Sequence, residues 1–373
     1  MSKGRSIVLL VCSALAALYC NAANAEPKEI VIGVATAMTG AGAATGQQIA
    51  AGVALAVKEV NTAGGINGAK VKLVVEDDRT APGGSVNAFN KLVSEKPEVI
   101  IGPTWTNFML TLSPIIKRSG IPVLTSATGT KVTDPDVSGG LIFRSAPPMS
   151  ATVQRLIGYV AKTIAPQRPV IIYSNDEWGK SGYEAFKSGG ITFAAVETFN
   201  FGDKDVSAQI LKLKEAKPDA VVIWNSVPAD AGLITNQIRQ FIPGAKIIGS
   251  PALAVDEYYQ LAKSGGDGVV TIASWVPGST PQSDDWAKRL KANDPNAILS
   301  FTSAQSYDAA MIAFKAIKAS GDLKPEAIRA ALAGTKDYDG IVGVYSFDDR
   351  GDGLHSAKVV EWQNGIMKPV AGQ

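Results

Sequence analysis

A pattern of strand, helix and strand occurs twice in this sequence, and it limits the folds that the chain can adopt. The first copy starts at Lys96-Pro97-Glu98 and continues into the apolar run Val99-Ile100-Ile101. The second copy starts at Lys217-Pro218-Asp219 and continues into an apolar run from Ala220 to Ile223. In both copies a segment of helical period and a second β-branched run follow. The repeat predicts two similar halves that follow one another along the chain.

Strands and helices alternate along most of the sequence. Ile30 to Ala35 is a short β-branched run, and the apolar residues after it fall on one face of a helix. Val71 to Val75 is the next run of this kind, and a segment of helical period follows it again. Such alternation is typical of parallel sheets covered by helices on both faces. We therefore predict an α/β fold with parallel sheets in two similar lobes.

Small and polar residues follow the predicted strands at four places. In the first half they are Thr104-Trp105-Thr106 and Ser126-Ala127-Thr128. In the second half they are Asn225-Ser226-Val227 and Ser250-Pro251-Ala252. Ligands of open α/β sheets bind beyond the carboxyl ends of the strands. Two such edges facing one another would form a cleft, and we expect the ligand there.

Residues 1–25 have the order of a secretory signal peptide. Lys3 and Arg5 precede an apolar run from residue 7 to residue 18, and Ala23-Asn24-Ala25 has the form of a cleavage site. Cys20 offers a lipoprotein signal as an alternative, which the large residues before it disfavour. We expect export to the periplasm and a soluble mature chain.

Charge and cysteine content narrow the range of partners. Both cysteines lie in the predicted leader, so the mature chain relies on core burial rather than on disulfides. Loss of Lys3 and Arg5 with the leader leaves the basic residues equal in number to the 34 acidic ones. A balanced charge lacks the electrostatic footprint of a nucleic-acid-binding protein. We expect no nucleic-acid partner, and a small ligand of low charge.

Enzyme-like motifs are present but incomplete. The glycines from Gly40 to Gly46 do not have the spacing of a dinucleotide-binding loop, and Tyr183 and Lys187 only resemble the pair of short-chain dehydrogenases. His355 is the only histidine, which argues against a histidine-based triad or a multi-histidine metal site. An exported dehydrogenase stays open as an alternative, but we predict no catalytic residue, no cofactor and no metal.

Six short motifs are distributed over the chain from its first predicted strand to its C-terminal part. They are Ile32-Gly33-Val34, Met38-Thr39-Gly40, Gly64-Gly65-Ile66-Asn67-Gly68, Glu76-Asp77-Asp78, Ile101-Gly102-Pro103, and Phe347-Asp348 with Gly351-Asp352. In order and spacing the motifs resemble the periplasmic leucine/isoleucine/valine-binding protein family, the type I solute-binding proteins of ABC importers. The resemblance extends over the whole mature chain.

The resemblance implies an architecture with defined boundaries. Members of the family have two Rossmann-like lobes joined by a three-crossover hinge, and a hinge motion encloses the solute. Carried onto this chain, residues 26–146 and 277–355 form the first lobe. Residues 147–276 and 356–373 form the second.

The resemblance also implies ligand contacts in the first lobe. In the amino-acid binders of the family, hydroxyl and backbone N–H groups of two loops hold the carboxylate of the ligand. The matching residues here are Thr106, Ser126, Ala127 and Thr128. Such dipoles replace the lost hydration of a carboxylate without burying a second charge.

The second lobe departs from the family pattern. Amino-acid binders place a glutamate for the ligand ammonium where this sequence has Pro251 or Ala252, and their tyrosine falls near Val227. An ammonium buried without a carboxylate costs several kcal/mol. We therefore expect a ligand without an α-amino group, unless Asp230 or Asp256 takes the role of the glutamate.

Tryptophans are concentrated near the predicted cleft. Trp105, Trp178 and Trp275 lie at loop positions where flat rings can cover an apolar or aromatic ligand, whereas Trp224 lies in an apolar strand and is assigned to the core. The full set of predicted ligand contacts is Thr39, Trp105, Thr106, Ser126, Ala127, Thr128, Trp178, Asn225, Ala252 and Trp275.

Together these features predict the periplasmic solute-binding subunit of an ABC importer. It would capture a small carboxylate with an apolar or aromatic body by hinge closure, deliver it to permease subunits in the membrane, and catalyse no reaction. Two alternatives stay open: a binding protein for branched-chain or other hydrophobic amino acids, and a ligand-sensing module of the same fold.

Overall fold

The computed structural model describes residues 29–278, 280–354 and 357–370. The predicted signal peptide and His355 lie outside these residues. The described strands are β1 Ile30–Thr36, β2 Val71–Asp77, β3 Val99–Ile101, β4 Val123–Thr125, β5 Ile142–Arg144, β6 Pro169–Ser174, β7 Val196–Phe199, β8 Ala220–Trp224, β9 Lys246–Gly249, β10 Val270–Ala273, β11 Tyr338–Asp339, β12 Val344–Tyr345, β13 Lys358–Gln363 and β14 Ile366–Pro369.

Helices follow most of the strands. They are α1 Ala43–Thr62, α2 Pro82–Ser94, α3 Thr106–Ser119, α4 Pro135–Ser138, α5 Met149–Tyr159, α6 Glu177–Ser188, α7 Ser207–Glu215, α8 Pro228–Phe241, α9 Asp256–Ala262, α10 Pro281–Asn293, α11 Phe301–Ser320 and α12 Pro325–Ala333. Short 3₁₀ turns lie at Thr130–Thr133, Pro251–Leu253 and Lys263–Gly266, and a π-helical turn at Val160–Ile164 extends α5.

The strands form two large sheets. The first has five parallel strands in the order β2-β1-β3-β4-β5. The second has the order β14-β13-β10-β9-β8-β6-β7, in which β6 to β10 are parallel and β13 and β14 are antiparallel. We call the five-stranded sheet with its helices the first lobe, and the seven-stranded sheet with its helices the second lobe. The predicted α/β fold with two lobes is confirmed, whereas the residue boundaries of the lobes stay a prediction.

Both lobes use the same strand order in their parallel part. In the first lobe β2 lies on one side of β1 and β3 lies on the other, and β7 and β8 flank β6 in the same way. The strand order therefore reverses once in each lobe, beside β1 and beside β6. Such a reversal opens a crevice at the carboxyl ends of the strands, where α/β proteins bind ligands.

The repeated sequence pattern has a structural counterpart. Lys96 and Lys217, which precede β3 and β8, both have left-handed backbone conformations, with φ of 54° and 48°. The acidic residue two positions later binds the start of the neighbouring strand in each lobe. Glu98 accepts a hydrogen bond of 2.6 Å from a backbone N–H of β1, and Asp219 accepts one of 2.6 Å from the N–H of a residue just before β6.

A late helix completes the core of the first lobe. The helix α11 packs against α1, and its apolar residues join the same core as those of β1 and β3. Close approach of the two helices requires Gly52, because a Cβ there would lie 2.2 Å from the carbonyl oxygen of Ser303. The start of α11 is thereby held against the middle of α1, and one turn nearer the start of α1 the hydroxyl of Ser300 donates to Oε1 of Gln48 at 2.6 Å.

Candidate ligand-binding site

A cavity of about 820 Å³, part of it open to solvent, lies between the two lobes at the carboxyl ends of the parallel strands. Both lobes contribute to its wall. The lining residues are Thr45, Gln48, Thr104, Trp105, Ser126, Thr128, Ala146, Pro147, Thr152, Trp178, Ser226, Pro228, Pro251, Ala252, Val255, Ile272, Ala273, Ser274, Phe301, Thr302, Gln305 and Ala357.

None of these lining residues carries a charge. The polar part of the wall consists of hydroxyl and amide side chains, and the remainder consists of aromatic rings, prolines and small aliphatic residues. An ion bound here would have to be stabilised by dipoles rather than by a side chain of opposite charge.

Helix N-termini, which carry the partial positive charge of the helix dipole, face the cavity from several directions. The helices α1, α3, α5 and α8 begin at its wall, because helices that follow parallel strands start at the carboxyl edge of the sheet. The helix α11, which follows α10, also begins there. No side chain caps α1, α3, α5 or α8, so these starts keep first-turn N–H groups without side-chain acceptors. Backbone N–H groups and the helix dipole at such a start favour an anion.

Two hydroxyl groups of the first lobe form a pair in the cavity wall. The Oγ1 atom of Thr104 and the Oγ atom of Ser126 lie 2.7 Å apart, and either can donate. Each hydroxyl has one proton, so the pair keeps one proton for an acceptor outside it. A carboxylate oxygen of a ligand is an acceptor of the right kind.

A third hydroxyl connects the two lobes. Thr128, after β4 in the first lobe, accepts a hydrogen bond of 2.7 Å at Oγ1 from Nε1 of Trp178, in α6 of the second lobe. Next to it, Lys131 and Glu177 form an ion pair with an N–O distance of 3.0 Å, also between the lobes. The lobes are therefore in direct contact at this side of the cavity.

Arg144 holds the loop that carries Thr128. Its guanidinium is almost fully buried and donates hydrogen bonds of 3.1 Å to the carbonyl oxygens of Thr128 and Gly129, and one of 2.9 Å to the hydroxyl of Thr133. Burial lowers the pKa of Arg144, and the carboxylate of Asp352 opposes this shift. The arginine stays charged, because its ordinary pKa is far above neutrality.

Aromatic rings form the apolar part of the wall. The ring of Trp178 stacks on that of Trp224, with centroids 5.5 Å apart and 12° between the planes. Trp224 is fully buried, as expected for a core residue. On the other side, Trp105 packs edge to face with Phe108 at 6.5 Å, in a small cluster with Val227 of the second lobe.

The structure brings half of the ten predicted ligand contacts to the cavity wall. They are Trp105, Ser126, Thr128, Trp178 and Ala252. The others do not line it. Thr106 and Ala127 lie buried behind the wall, where the Thr106 hydroxyl accepts a hydrogen bond of 3.1 Å from the backbone N–H of Gly129.

The remaining three predicted contacts point elsewhere. Thr39 is mostly exposed and donates a hydrogen bond of 2.6 Å to Asp77. Asn225 is buried, and its Nδ2 atom donates to a carbonyl of its own loop at 2.7 Å. Trp275 belongs to the first-lobe core and donates from Nε1 to Ser283 at 2.7 Å. As ligand contacts, all ten residues stay predictions.

Several lining residues were not predicted from the sequence. Gln48, Thr152, Phe301 and Gln305 belong to the first two turns of α1, α5 and α11. For Gln48 and Thr152 the signal that could have found them is their position near a helix start after a strand, since such starts face the carboxyl edge of the sheet. Phe301 and Gln305 lack this signal, because α11 follows the helix α10. The sequence alone does not reveal that α11 packs on α1. It therefore does not tell which helix N-termini reach the cavity.

The acidic residues considered as partners for an ammonium group do not line the cavity. Asp230 is buried, burial raises its pKa, and its Oδ2 atom accepts a hydrogen bond of 3.1 Å from the N–H of Gly202. Asp256 is exposed at the start of α9. In the described part of the chain, no group of three or more His, Cys, Asp or Glu residues is placed to hold a metal ion.

The dehydrogenase-like residues do not line the cavity either. The ring of Tyr183 stacks on Tyr173 with centroids 5.1 Å apart, and Lys187 binds Glu184 with an N–O distance of 3.0 Å. Gly40 and Gly46 serve close packing, because a Cβ at either position would collide with a neighbouring carbonyl group. Among the described helices, none has the length and apolarity needed to cross a bilayer.

Three known proteins are similar to this chain in sequence or in structure. Leu/Ile/Val-binding protein homolog 3 from Brucella melitensis is 28% identical over 350 residues, which cover 92% of this chain and 94% of that protein. The solved structure of the branched-chain amino acid transporter substrate-binding protein LivJ from Streptococcus pneumoniae, in complex with isoleucine, has a TM-score of 0.84 at 24% identity and covers 91% of this chain and 98% of its own. An ABC transporter solute-binding protein from R. palustris, in complex with 4-hydroxybenzoate, has a TM-score of 0.81 at 21% identity, with coverage of 92% and 96%.

The family model described as periplasmic binding protein matches residues 29–366. Except for most of β14, this range includes both sheets, the cavity between them and every lining residue. The chain therefore belongs to the periplasmic binding protein family.

Proposed function

We propose that this protein is the exported solute-binding subunit of an ABC importer, and that its solute is a small monocarboxylate with an apolar or aromatic body. The observation that carries the proposal is the wall of the cavity, which combines hydroxyl groups, uncapped helix starts and aromatic rings and, among the described residues that line it, contains no charged side chain.

The carboxylate end is assigned to the first lobe. The Thr104–Ser126 pair has one proton to donate, and the uncapped start of α3 lies beside it. Hydrogen bonds from such donors to an ionised group are stronger than those between neutral groups. They stabilise the negative charge without a buried cation.

The absence of an α-amino group follows from the second lobe. A bound ammonium would find no carboxylate among the described lining residues, because Asp230 lies outside the cavity wall, where it accepts a hydrogen bond from the N–H of Gly202. A charge buried without a partner costs several kcal/mol, which exceeds what a few carbonyl contacts return. A ligand with a keto group, a hydroxyl group or an aromatic carbon in place of the ammonium group avoids the cost of burying an unpaired charge.

The body of the ligand is assigned to the rings. Trp105, Trp178 and Phe301 line the cavity together with three prolines, and flat apolar walls of this kind cover aromatic or branched aliphatic groups. One similar protein binds isoleucine and another binds 4-hydroxybenzoate, and both of these ligands carry a carboxylate on an apolar body. Isoleucine also carries an ammonium group, whereas 4-hydroxybenzoate does not. A test of the ligand class must therefore compare ligands with and without this group.

Calorimetric titration of the purified mature protein tests the ligand class. Leucine is compared with 4-methyl-2-oxopentanoate, which replaces only the amino group by a keto oxygen, and benzoate and 4-hydroxybenzoate complete the panel. We expect binding of the acids without an amino group, and a stabilisation of about 2.7 kcal/mol at a hundredfold excess over Kd. Tighter binding of leucine than of its keto analogue would assign the protein to amino acids, and no binding of any carboxylate would end the proposal.

Delivery to a membrane permease and the periplasmic location rest on family membership and on the predicted leader at residues 1–25. Uptake of the labelled ligand by cells with and without this gene tests them. We expect uptake at low ligand concentration to be lost in the deletion strain. Unchanged uptake, with ligand binding intact, would favour the sensing alternative.

A further inference from the structure

Two tryptophans line the cavity, and their indole N–H groups are used differently. The Nε1 atom of Trp178 donates to Oγ1 of Thr128 at 2.7 Å, from the second lobe to the first. The Nε1 atom of Trp105 has no hydrogen-bond partner within the described residues, although the side chain is only 6% exposed. Trp178 is therefore the lining tryptophan whose polar atom connects the lobes.

The backbone of Thr128 is held independently of Trp178. Its carbonyl oxygen accepts hydrogen bonds from Nη1 of Arg144 at 3.1 Å and from the backbone N–H of Met149, at the start of α5, at 2.9 Å. Because Arg144 is buried and bonded to two further groups of this loop, the backbone position of Thr128 does not depend on the indole of Trp178.

Trp178 is fixed just as firmly from the second lobe. Its ring stacks on Trp224, and the edge of Trp224 packs against Gly182, where a Cβ would lie 1.8 Å from the Trp224 Nε1 atom. At the start of the same helix, Asp176 accepts a hydrogen bond of 2.8 Å from the N–H of Gly179. The indole N–H and the threonine hydroxyl are thus two rigid groups that meet when the lobes come together.

The direction of this hydrogen bond determines what the hydroxyl can do next. An indole N–H only donates, so the Thr128 oxygen must be the acceptor and its own proton is left for another group. Thr128 lines the cavity, where a carboxylate oxygen is the acceptor that the proposed function supplies. A chain from Trp178 N–H through Thr128 O–H to the ligand strengthens each of its hydrogen bonds, because each one polarises the next.

We propose that Trp178 is a positioning residue that couples closure of the lobes to recognition of the ligand anion through Thr128. The proposal rests on the proposed function, because it needs an anionic acceptor in the cavity. Opening the cleft breaks the hydrogen bond to Trp178 and returns the Thr128 hydroxyl to other orientations. Ligand affinity and the lifetime of the closed state are therefore linked through one hydroxyl group.

A double-mutant cycle with two substitutions at Thr128 tests the coupling. Trp178→Phe keeps a ring on Trp224 and removes the N–H, Thr128→Val removes the hydroxyl, and Thr128→Ser keeps it. We expect Trp178→Phe to raise the Kd of the bound carboxylate about tenfold, mainly through faster dissociation. In the Thr128→Val background the same change is expected to alter Kd less than twofold, and in the Thr128→Ser background the tenfold effect returns.

Trp362→Phe is the matched control for loss of a tryptophan hydrogen bond. The Nε1 atom of Trp362 donates to the carbonyl of Leu253 at 2.7 Å, within the second lobe, and neither residue lines the cavity. We expect it to lower the thermal midpoint and to change Kd less than twofold. Thermal unfolding of every variant separates loss of fold from loss of affinity, and Thr128→Val and Thr128→Ser serve alone if Trp178→Phe does not fold.

Three results would overturn the inference. Equal effects of Trp178→Phe in the wild-type and Thr128→Val backgrounds would show that the ring acts by packing alone. Equal affinities of the Thr128→Val and Thr128→Ser variants would show that the hydroxyl does not meet the ligand. Failure of the wild type to bind any carboxylate would remove the proposed function as well, and that outcome is recognised before any variant is made.

Discussion

Arg144 and Asp352 form an ion pair beneath the loop that carries Thr128. The Nε atom of Arg144 lies 3.2 Å from Oδ1 of Asp352, an ionic contact without hydrogen-bond geometry, and both side chains are nearly buried. The backbone joins the same two segments, because the N–H of Gly353 donates to the carbonyl of Arg144 at 3.1 Å. The end of β5 is thereby tied to a segment more than 200 residues later in the chain.

Asp352→Asn should destabilise the protein strongly. The substitution leaves the Arg144 guanidinium buried without its counter-charge, and loss of one partner of a buried pair costs about 3–5 kcal/mol. The three hydrogen bonds that Arg144 retains place the expected loss at the lower end, about 3 kcal/mol. Urea unfolding measures it. Asp349→Asn, at an exposed position of the same turn, should lower the free energy of unfolding by less than about 0.5 kcal/mol. Equal losses of stability in the two variants would contradict the role of the Arg144–Asp352 pair.

Ser126→Ala should weaken binding of the carboxylate about tenfold, because it removes one hydroxyl of the pair that we propose holds the carboxylate and leaves the other without its partner. Calorimetric titration measures the change in Kd. Ser94→Ala removes a hydroxyl that binds the carbonyl of Lys91 at the exposed end of α2, and it should leave Kd unchanged. Equal affinities of the Ser126→Ala variant and the wild type would move the carboxylate away from this pair.

Gly182→Ala should damage both stability and binding. A Cβ at this position would overlap the indole of Trp224, and overpacking of a core typically costs about 1–3 kcal/mol. Because Trp224 supports Trp178, ligand affinity should fall together with stability.

Gly158→Ala is the matched helix control. Nothing lies within 4 Å of a Cβ at this position in α5, so the variant should gain up to about 1 kcal/mol of helix stability with affinity unchanged. Thermal unfolding and titration of both glycine variants measure the contrast. A Gly182→Ala protein with the stability and affinity of the wild type would contradict the packing described for the two tryptophans.

Asp308 should make stability fall as the pH rises through neutrality. Burial raises the pKa of this carboxyl to about 7 from its ordinary value of 3.8, although the N–H groups of Ile341 and Val342 and the hydroxyl of Tyr345 donate to it. The folded protein therefore binds this proton more tightly than the unfolded chain does. The resulting stability is fully present below about pH 4 and is lost as the pH rises through 7.

Unfolding of the wild type and of Asp308→Asn at pH 5 and pH 8 isolates this titration. Asp308→Asn lowers stability at both values, because an amide cannot accept all three hydrogen bonds. We expect the wild type to lose more stability than the variant between the two pH values. Equal losses would show that another group carries the pH dependence.

The cavity wall illustrates how far the sequence leads to the site. Ser126, Thr128 and Ala252 were found because polar or small residues after an apolar run mark the carboxyl end of a strand, and that signal is local. Thr39 and Asn225 carry the same signal and point elsewhere, since loop hydrogen bonds to Asp77 and to a neighbouring carbonyl turn them away. Side-chain direction in a loop depends on such bonds, which no periodicity reveals.

The sequence by itself determined the alternation of strands and helices, the two similar halves and the polar rims of their sheets, because hydrophobic periodicity and turn residues act over a few positions. Only the tertiary structure decided that α11 returns to α1 and brings Phe301 and Gln305 to the cavity, and that Trp178 meets Thr128 from the opposite lobe. These contacts join residues far apart in the chain. They depend on how two separately formed surfaces pack, which local propensity does not specify.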